Sequence, residues 1–450
     1  MFKKFVLTLV ITALPTLIFA QKQLTLSEAV GMALQKNTTL KAAENNLGNN
    51  EAALQSAYGG ILPSVNANAG WSWSRTDIGE KDITTPGGAS ATLPSTTIES
   101  RNWNAGVSAT TTLYDGLSVF KNYDRAKNQL KTAQFEIERL KQDVAFSTIN
   151  KYYDLIKLQE LILVREDNLK WNQQNLEVIT ERNRLGAVTL ADLYTAQVKV
   201  GNAELLVLQA QNEFAAKKND FLFYLGLESD VDYTIADPTM ESLEKDPSVI
   251  KQALNLNLDE YVTTALENRA DYQSAKLRLD AAMMGVDIAG SGYLPRLTNT
   301  ISYGGAGSNP GDILDNRTLS VGLNLSIPLF SGWSTTEQVQ RAEIATMNSK
   351  IDMNDKRREI INSLEKTFLN LQAAAKQLEV TKKNIVAASE TRRIEEEKYR
   401  LGATTLVNLL IANTDFLNAR NDFINAAYLF RTLEKEIKYN IGTLNASSLE

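Results

Sequence analysis

Residues 64–74 read SVNANAGWSWS, and residues 102–113 read NWNAGVSATTTL. In the first, Val65, Ala67, Ala69, Trp71 and Trp73 alternate with small polar residues; in the second, Trp103, Ala105, Val107, Ala109, Thr111 and Leu113 do so. The pattern returns later. Leu297, Ile301 and Tyr303 alternate with Thr298, Thr300 and Ser302, and Leu319, Val321, Leu323, Leu325, Ile327 and Leu329 with Ser320, Gly322, Asn324 and Ser326. A period of two predicts four strands. One face is apolar and ends in aromatics while the other carries Ser, Thr, Asn and Gly, which is how transmembrane strands of about 9–11 residues read. Amphipathic strands over a soluble core share the period, but the flanking sequence offers no second sheet for them to pack upon.

A sheet edge left open in a bilayer strands backbone groups without partners, at several kcal/mol each, so the sheet must close. Four strands cannot do this alone, because single-chain bacterial barrels start at about eight. Closure therefore needs several copies, with eight strands from two protomers or twelve from three. The polar face then lines a water-filled lumen, and Trp71, Trp73 and Trp103 serve as interfacial anchors against outer-membrane lipid.

Composition narrows the chemistry. The 450 residues contain no Cys and no His, which excludes a disulfide, a thiolate nucleophile, a Ser-His-Asp triad and the usual zinc sites. A formal charge of -6 argues against a nucleic-acid partner. A mean hydropathy of -0.23 is too low for a polytopic helical membrane protein. Residues 304–307, Gly-Gly-Ala-Gly, lack the following Lys-Ser/Thr of a phosphate loop. Neither a cofactor nor catalysis is expected.

Lys3 and Lys4, the apolar run 5–14 and Ile18-Phe19-Ala20 predict a signal peptide over residues 1–20. The chain is thus expected to be exported. Each strand pair enters and leaves the membrane on one side, so the helical remainder gathers on the periplasmic side. The segments 78–100 and 304–316, rich in Gly, Pro, Ser and Thr, are expected as outward-facing loops.

The remainder is built for long helices. No proline occurs between Pro94 and Pro238, or after Pro328, and a proline inside a helix costs about 3 kcal/mol. Apolar residues step by three and four through Ala126, Leu130, Ala133, Ile137, Leu140 and Val144, and again through Ile361, Leu364, Phe368, Leu371, Ala375 and Leu378. Helices from Leu117 to Leu185 and from Ser334 to Leu401 would each extend about 100 Å. Each stops at Leu-Gly and is followed by a return helix, near residues 189–225 and 405–441.

The chain also repeats itself. Leu24-Thr25-Leu26-Ser27-Glu28 returns as Leu256-Asn257-Leu258-Asp259-Glu260, and Leu62-Pro63 as Leu294-Pro295. Arg184-Leu185-Gly186-Ala187 returns as Arg400-Leu401-Gly402-Ala403. Two tandem repeats are expected, 21–227 with a β-hairpin over 62–114, and 251–443 with a β-hairpin over 294–330. An acidic linker, 228–250, joins them, and 444–450 forms a tail.

These duplicated motifs, in this order, resemble the TolC-like outer-membrane efflux proteins over essentially the whole mature chain. The resemblance implies an α+β membrane protein: a trimeric 12-stranded β-barrel, four strands per chain, continued by a long periplasmic α-helical barrel. It implies a passive exit duct for small molecules such as drugs, joined by a periplasmic adaptor protein to an inner-membrane transporter. A type I protein-secretion duct has the same architecture, and a pore-less periplasmic coiled-coil scaffold is the alternative from another class. The family's collar would draw on the acidic stretch 228–246 together with the C-terminal residues, and a solvated linker is the equal alternative for that stretch. In the family the hairpin tips narrow the tube and meet the adaptor. That places Arg184, Leu185, Gly186, Arg400, Leu401 and Gly402 at the docking tips, and Asp192, Asn408 and Tyr399 at the channel entrance. Many members carry acidic side chains there; here Asn408 and Ile411 are neutral, which leaves Asp192 as one ring of three carboxylates. Asp192 equally suits a helix N-terminus, where it favours the dipole. Tyr399 and Arg400 would brace the closed state by bonding a neighbouring hairpin.

Overall fold

The computed structural model describes residues 22–84, 86–88, 90–227, 233–236 and 257–444. The expected signal peptide, most of the acidic linker and all but the first residue of the tail lie outside them. In chain order the elements are β1 (Lys22–Leu24), α1 (Leu26–Lys36), α2 (Thr38–Gly59), β2 (Ser64–Ile78), β3 (Lys81–Thr84), β4 (Ser90–Leu93), β5 (Thr96–Tyr114), α3 (Ser118–Arg184), α4 (Leu190–Tyr224) and β6 (Tyr233–Ile235). Then follow α5 (Leu258–Asn268), α6 (Ala270–Gly290), β7 (Arg296–Gly307), α7 (Asp312–Asp315), β8 (Arg317–Ser326), α8 (Ser334–Arg400) and α9 (Leu406–Asn440). The fold is mostly helical with one principal sheet. Among the described residues no helix is long and apolar enough to cross a membrane.

The chain divides into two units, each drawing on both halves of the sequence. Lys41–Leu140 and Thr263–Asn362 form the unit that carries the sheet; Met1–Leu40, Lys141–Val262 and Ser363–Glu450 form the other.

In the sheet unit the strands run in the order β2-β5-β7-β8, antiparallel throughout. Alternation fixes the register. Trp71 lies opposite Trp103, Ala67 opposite Val107, Val107 opposite Tyr303, and Ile301 opposite Val321, so the apolar residues of all four strands share one face. Asn68, Gly106, Ser108, Ser302 and Ser320 share the other. A one-residue slip would exchange the faces of a whole strand. The single irregularity falls between Thr112 and Tyr114 in β5. The apolar face is bare: Val65, Leu319, Val321 and Leu323 are each about two-thirds exposed. β2 and β8 are the edge strands.

Both expected outer loops need correction. Residues 78–100 are largely strand, since β2 and β5 remain paired out to Ile78 and Thr96, and β3 pairs with β4 beyond them. Thr is enriched in strands although Thr and Ser both occur in turns, so composition alone does not separate the two. In 304–316, β7 continues through Gly307, and α7 follows as a single turn. A Cβ on Gly304 would come within 2.7 Å of the Ala105 carbonyl oxygen. One on Gly305 or Gly307 would collide with Ile313 or Asp312. These glycines permit close backbone approach, which explains them without a phosphate.

The helical unit packs α8 against α9. Leu371, Ala374, Ala375 and Leu378 meet Ala426, Ala427, Phe430, Leu433 and Ile437, all buried. The buried stripe is displaced by one residue from the expected one at its start, through Ile360 and Thr367, with Ile361 and Phe368 half-buried on its flank. Thr367 is tolerated inside because its hydroxyl donates to Glu436 Oε1 at 2.9 Å and accepts from Asn440 Nδ2 at 3.0 Å. A second feature lies in the stretch expected as either a collar or a solvated linker. Tyr233–Ile235 pairs in parallel with Lys22–Leu24, and the buried Tyr152 hydroxyl approaches the carbonyls of Leu24 (2.9 Å) and Ala236 (2.6 Å).

Candidate functional site

Each long helix ends in the same way. In α3 the Gly186 N–H donates to the Asn183 carbonyl and the Ala187 N–H to that of Arg182, at 2.9 and 2.8 Å. In α8, Gly402 and Ala403 donate to Tyr399 and Lys398 at 3.1 and 2.7 Å. This crossed pair of bonds needs a left-handed residue after the helix, and Gly186 and Gly402 supply φ of 74° and 75°. Leu185 and Leu401 project beside them, 71% and 74% exposed. Arg184 is tied to Glu181 at 2.9 Å and the Arg400 guanidinium to Glu397 at 2.8 Å, each within its own helix.

The return helices begin on Thr caps. The Thr189 hydroxyl accepts from the Asp192 N–H, and Asp192 Oδ2 accepts from the Thr189 N–H and hydroxyl at 3.1 and 2.8 Å. Asp192 therefore closes a reciprocal capping box, the helix-terminal role that its position allowed. Asn408 sits at the matching position, its N–H on Thr405 and its side chain on Thr404.

Beneath the turns Ile179, Ala196, Tyr399, Leu406 and Leu409 form a small core, flanked by Trp171, Leu176, Val188, Leu193 and Leu410. Trp171 Nε1 donates to Glu396 Oε1 at 2.7 Å, joining the first long helix to the second. Tyr399 is 7% exposed and so stands inside the tip. Burial lifts its hydroxyl above the ordinary tyrosine pKa; Arg182 opposes this and Asp192 adds to it.

The residue that joins the hairpins is one that sequence reasoning missed. Arg182 donates to the carbonyls of Tyr399 (3.0 Å) and Arg400 (2.6 Å), and its guanidinium lies 4.9 Å from the Tyr399 ring centroid. Within the one chain, Tyr399 and Arg400 accept these bonds from the other hairpin through their carbonyls. Arg182 falls just before the duplicated Arg-Leu-Gly, and its counterpart Lys398 pairs with Glu395 instead, so the repeat gave no signal for it.

At the sheet, Trp71 and Trp103 pair across β2 and β5 with ring centroids 6.0 Å apart. Trp71 and Trp73 are 57% and 50% exposed. Among the described residues no cluster of His, Cys, Asp or Glu could hold a metal ion.

These features, a bare apolar sheet face together with very long helices, define an outer-membrane channel class, and the comparisons agree. The profile of the outer membrane efflux protein family matches residues 29–227 and 261–443. The outer membrane protein TolC of Vibrio cholerae is 23% identical over 406 residues, 87% of this chain and 85% of its own. The proteases secretion protein PrtF of Dickeya chrysanthemi is 21% identical over 431 residues, 94% and 89% of the two chains. The crystal structure of the outer membrane protein VceC from Vibrio cholerae matches with a TM-score of 0.76 at 18% identity, covering 93% and 96%.

The chain belongs to the outer membrane efflux protein family. It is an outer-membrane channel with its helical part in the periplasm, and its relatives are channel proteins and not enzymes.

Proposed function

We propose that three copies of this chain form one continuous duct, a 12-stranded β-barrel in the outer membrane carried on by an α-helical barrel in the periplasm. The observation that carries this reading is the sheet: four strands, one bare apolar face, one small polar face, and edge strands β2 and β8 free to pair with neighbouring copies. A second feature supports it. On α4, Leu190, Tyr194, Val198, Leu205 and Leu208 recur at helical spacing, all at least half exposed, a stripe that suits the helices of another protomer. Tandem duplication is supported by element lengths: 67 residues in both α3 and α8, 35 in both α4 and α9, 11 in both α1 and α5.

The duct is passive. Small molecules such as drugs would be its cargo, and the two tips its contact with a periplasmic adaptor and an inner-membrane transporter. Export of protein by the same architecture is the second reading, favoured by the likeness to PrtF, a proteases secretion protein.

The test uses wild type beside Gly186→Val and Gly402→Val. Wild type is expected to run as a trimer and to give stepwise conductance in planar bilayers; a monomer without conductance would sink the proposal. A valine at φ near +75° costs roughly 1–2 kcal/mol and breaks the crossed bonds. Apart from the glycine and its chain neighbours, no atom of the chain lies within 4 Å of the place that either new Cβ would occupy, so the core is undisturbed. The variants should keep trimers and conductance while losing drug resistance in cells. Lost trimers would assign the glycines to folding.

Asp192→Asn tests the entrance. If three Asp192 carboxylates ring the mouth, the variant lowers cation-over-anion permeability in single-channel recordings, by roughly twofold for one focused ring. Unchanged selectivity, with only a small loss of stability from the weakened capping box, would confine Asp192 to the helix end.

A further inference from the structure

β2 and β5 run for 15 and 19 residues, longer than the roughly 9–11 needed to span a bilayer. The surplus lies beyond the Trp71–Trp103 pair; there the face of the tryptophans turns charged, while the other face, still mostly Ser, Thr and Asn, gains two isoleucines. On the face of Trp71, Trp73 and Trp103, the next residues are Arg75, Asp77, Glu99 and Arg101, with Arg75 opposite Glu99 and Trp73 opposite Arg101. Arg75 Nε and the Thr97 hydroxyl both reach Asp77 Oδ1, at 3.2 and 2.6 Å, which confirms their common side. On the other face, continuous with Asn68, Gly70, Asn102 and Asn104, stand Ile78 and Ile98, diagonal to one another. They are 46% and 50% exposed.

Below the tryptophans the apolar face is therefore the lipid face and the lumen face is polar; above them the charges lie outside and the isoleucines inside. Lipid does not account for Ile78 and Ile98, because they continue the face that lines the lumen. Water leaves them half bare, and an extended ribbon that exposes β-branched side chains beside an open edge invites pairing with another chain. The surfaces that face a lumen from within a closed barrel are those of the other copies.

On the trimeric reading above, we infer that the extended β2–β5 ribbons of three copies lean together at the outer mouth. Ile78 and Ile98 of each copy meet those of the other two in an apolar ring. The occupant of this face is a second copy of the chain, and the ring is an external constriction that resists water and ions by dewetting. The five to seven residues beyond the tryptophans reach about 16–23 Å at 3.3 Å per residue, long enough to lean inward from a barrel rim.

The natural absence of cysteine makes the test clean, because Ile98→Cys introduces the sole thiol. Oxidation of that variant in outer-membrane fractions with copper phenanthroline is expected to give disulfide-linked dimers, while Arg101→Cys, on the outward face, gives none. In planar bilayers the double variant I78S/I98S should raise conductance about twofold or more and shorten closed intervals, with R75S/E99S unchanged. If wild type forms conducting trimers but Ile98→Cys does not cross-link and I78S/I98S conducts as wild type, the inference falls and the duct stands. If Ile98→Cys is protected from aqueous maleimide yet does not cross-link, the ribbons lie against lipid and the inference falls equally. A wild type that is not trimeric would remove the reading beneath it.

Discussion

Arg182→Ala is expected to open the tip. Arg182 spans the two hairpins with two charge-assisted bonds, to the carbonyls of Tyr399 and Arg400, and lies over the Tyr399 ring. The accepting carbonyls belong to the last turn of α8, the negative end of its dipole, where a cation is favoured. Hydrogen bonds to charged groups contribute about 1.5–3 kcal/mol each and a partly exposed cation–π contact about 0.5–1 kcal/mol. Arg182 is half-buried, so screening reduces the sum, and about 2 kcal/mol remains for the link as a whole. In a channel whose closed state holds the hairpins together, about 2 kcal/mol is roughly a thirtyfold change in the open-to-closed ratio. Single-channel recordings of Arg182→Ala should show longer openings and a larger conductance, with trimers intact. Arg182→Lys keeps the charge but loses the planar fork that reaches both carbonyls, and should fall between. If Arg182→Ala records like wild type, the mouth is held by other contacts.

The strands were legible because side chains alternate with a period of two and the two faces differ so strongly in chemistry. Residues 64–74 could take only one register. The long helices were legible because nothing in 95–237 or 329–450 includes a proline, and the turns because Leu-Gly recurs where a left-handed residue is required. What escaped reading depends on partners distant in sequence. β1 is three residues long, has no period of its own, and exists through pairing with β6 and the approach of Tyr152. Thr367 is buried because Glu436 and Asn440 come to it, so an apolar pattern places the stripe one residue off. At the tip, the turn could be read and the bridge could not. Arg182 works through the carbonyls of residues 217 and 218 positions away, and backbone acceptors leave no mark in a sequence.

A buried ion pair in the sheet unit belongs to the same class of hidden contact, and it carries the largest expected loss of stability. Arg269 precedes α6 and is 5% exposed in its side chain; Asp271, in the first turn, is 19% exposed. The guanidinium meets the carboxylate with both arms, at 3.0 and 2.7 Å. In the first half of the chain the corresponding place is Asn37, whose Oδ1 accepts the Leu40 N–H at 3.0 Å. A neutral cap is thus replaced by a charge pair that each partner needs. Removing one member of a fully buried pair typically costs about 3–5 kcal/mol. Asp271 is partly exposed and Arg269 keeps further contacts, so roughly 1.5–3 kcal/mol is expected, the worth of hydrogen bonds to a charged group. Asp271→Asn is accordingly expected to lower the thermal midpoint of the detergent-solubilised protein, followed by far-ultraviolet circular dichroism. The acid dependence separates this cause from loss of packing. Burial alone would raise the Asp271 pKa, but the bond from Arg269 and the charges of Arg269, Arg139 and Lys356 outweigh it and the net shift is downward. A carboxylate with a lowered folded pKa contributes stability that is present above its unfolded pKa, about 3.9, and lost as pH falls through the folded value. The gap between wild type and Asp271→Asn should therefore be full at neutral pH and narrow steadily below about pH 4. A gap of the same size at about pH 3 and about pH 7 would mean that the asparagine perturbs shape and that the charge of Asp271 contributes nothing.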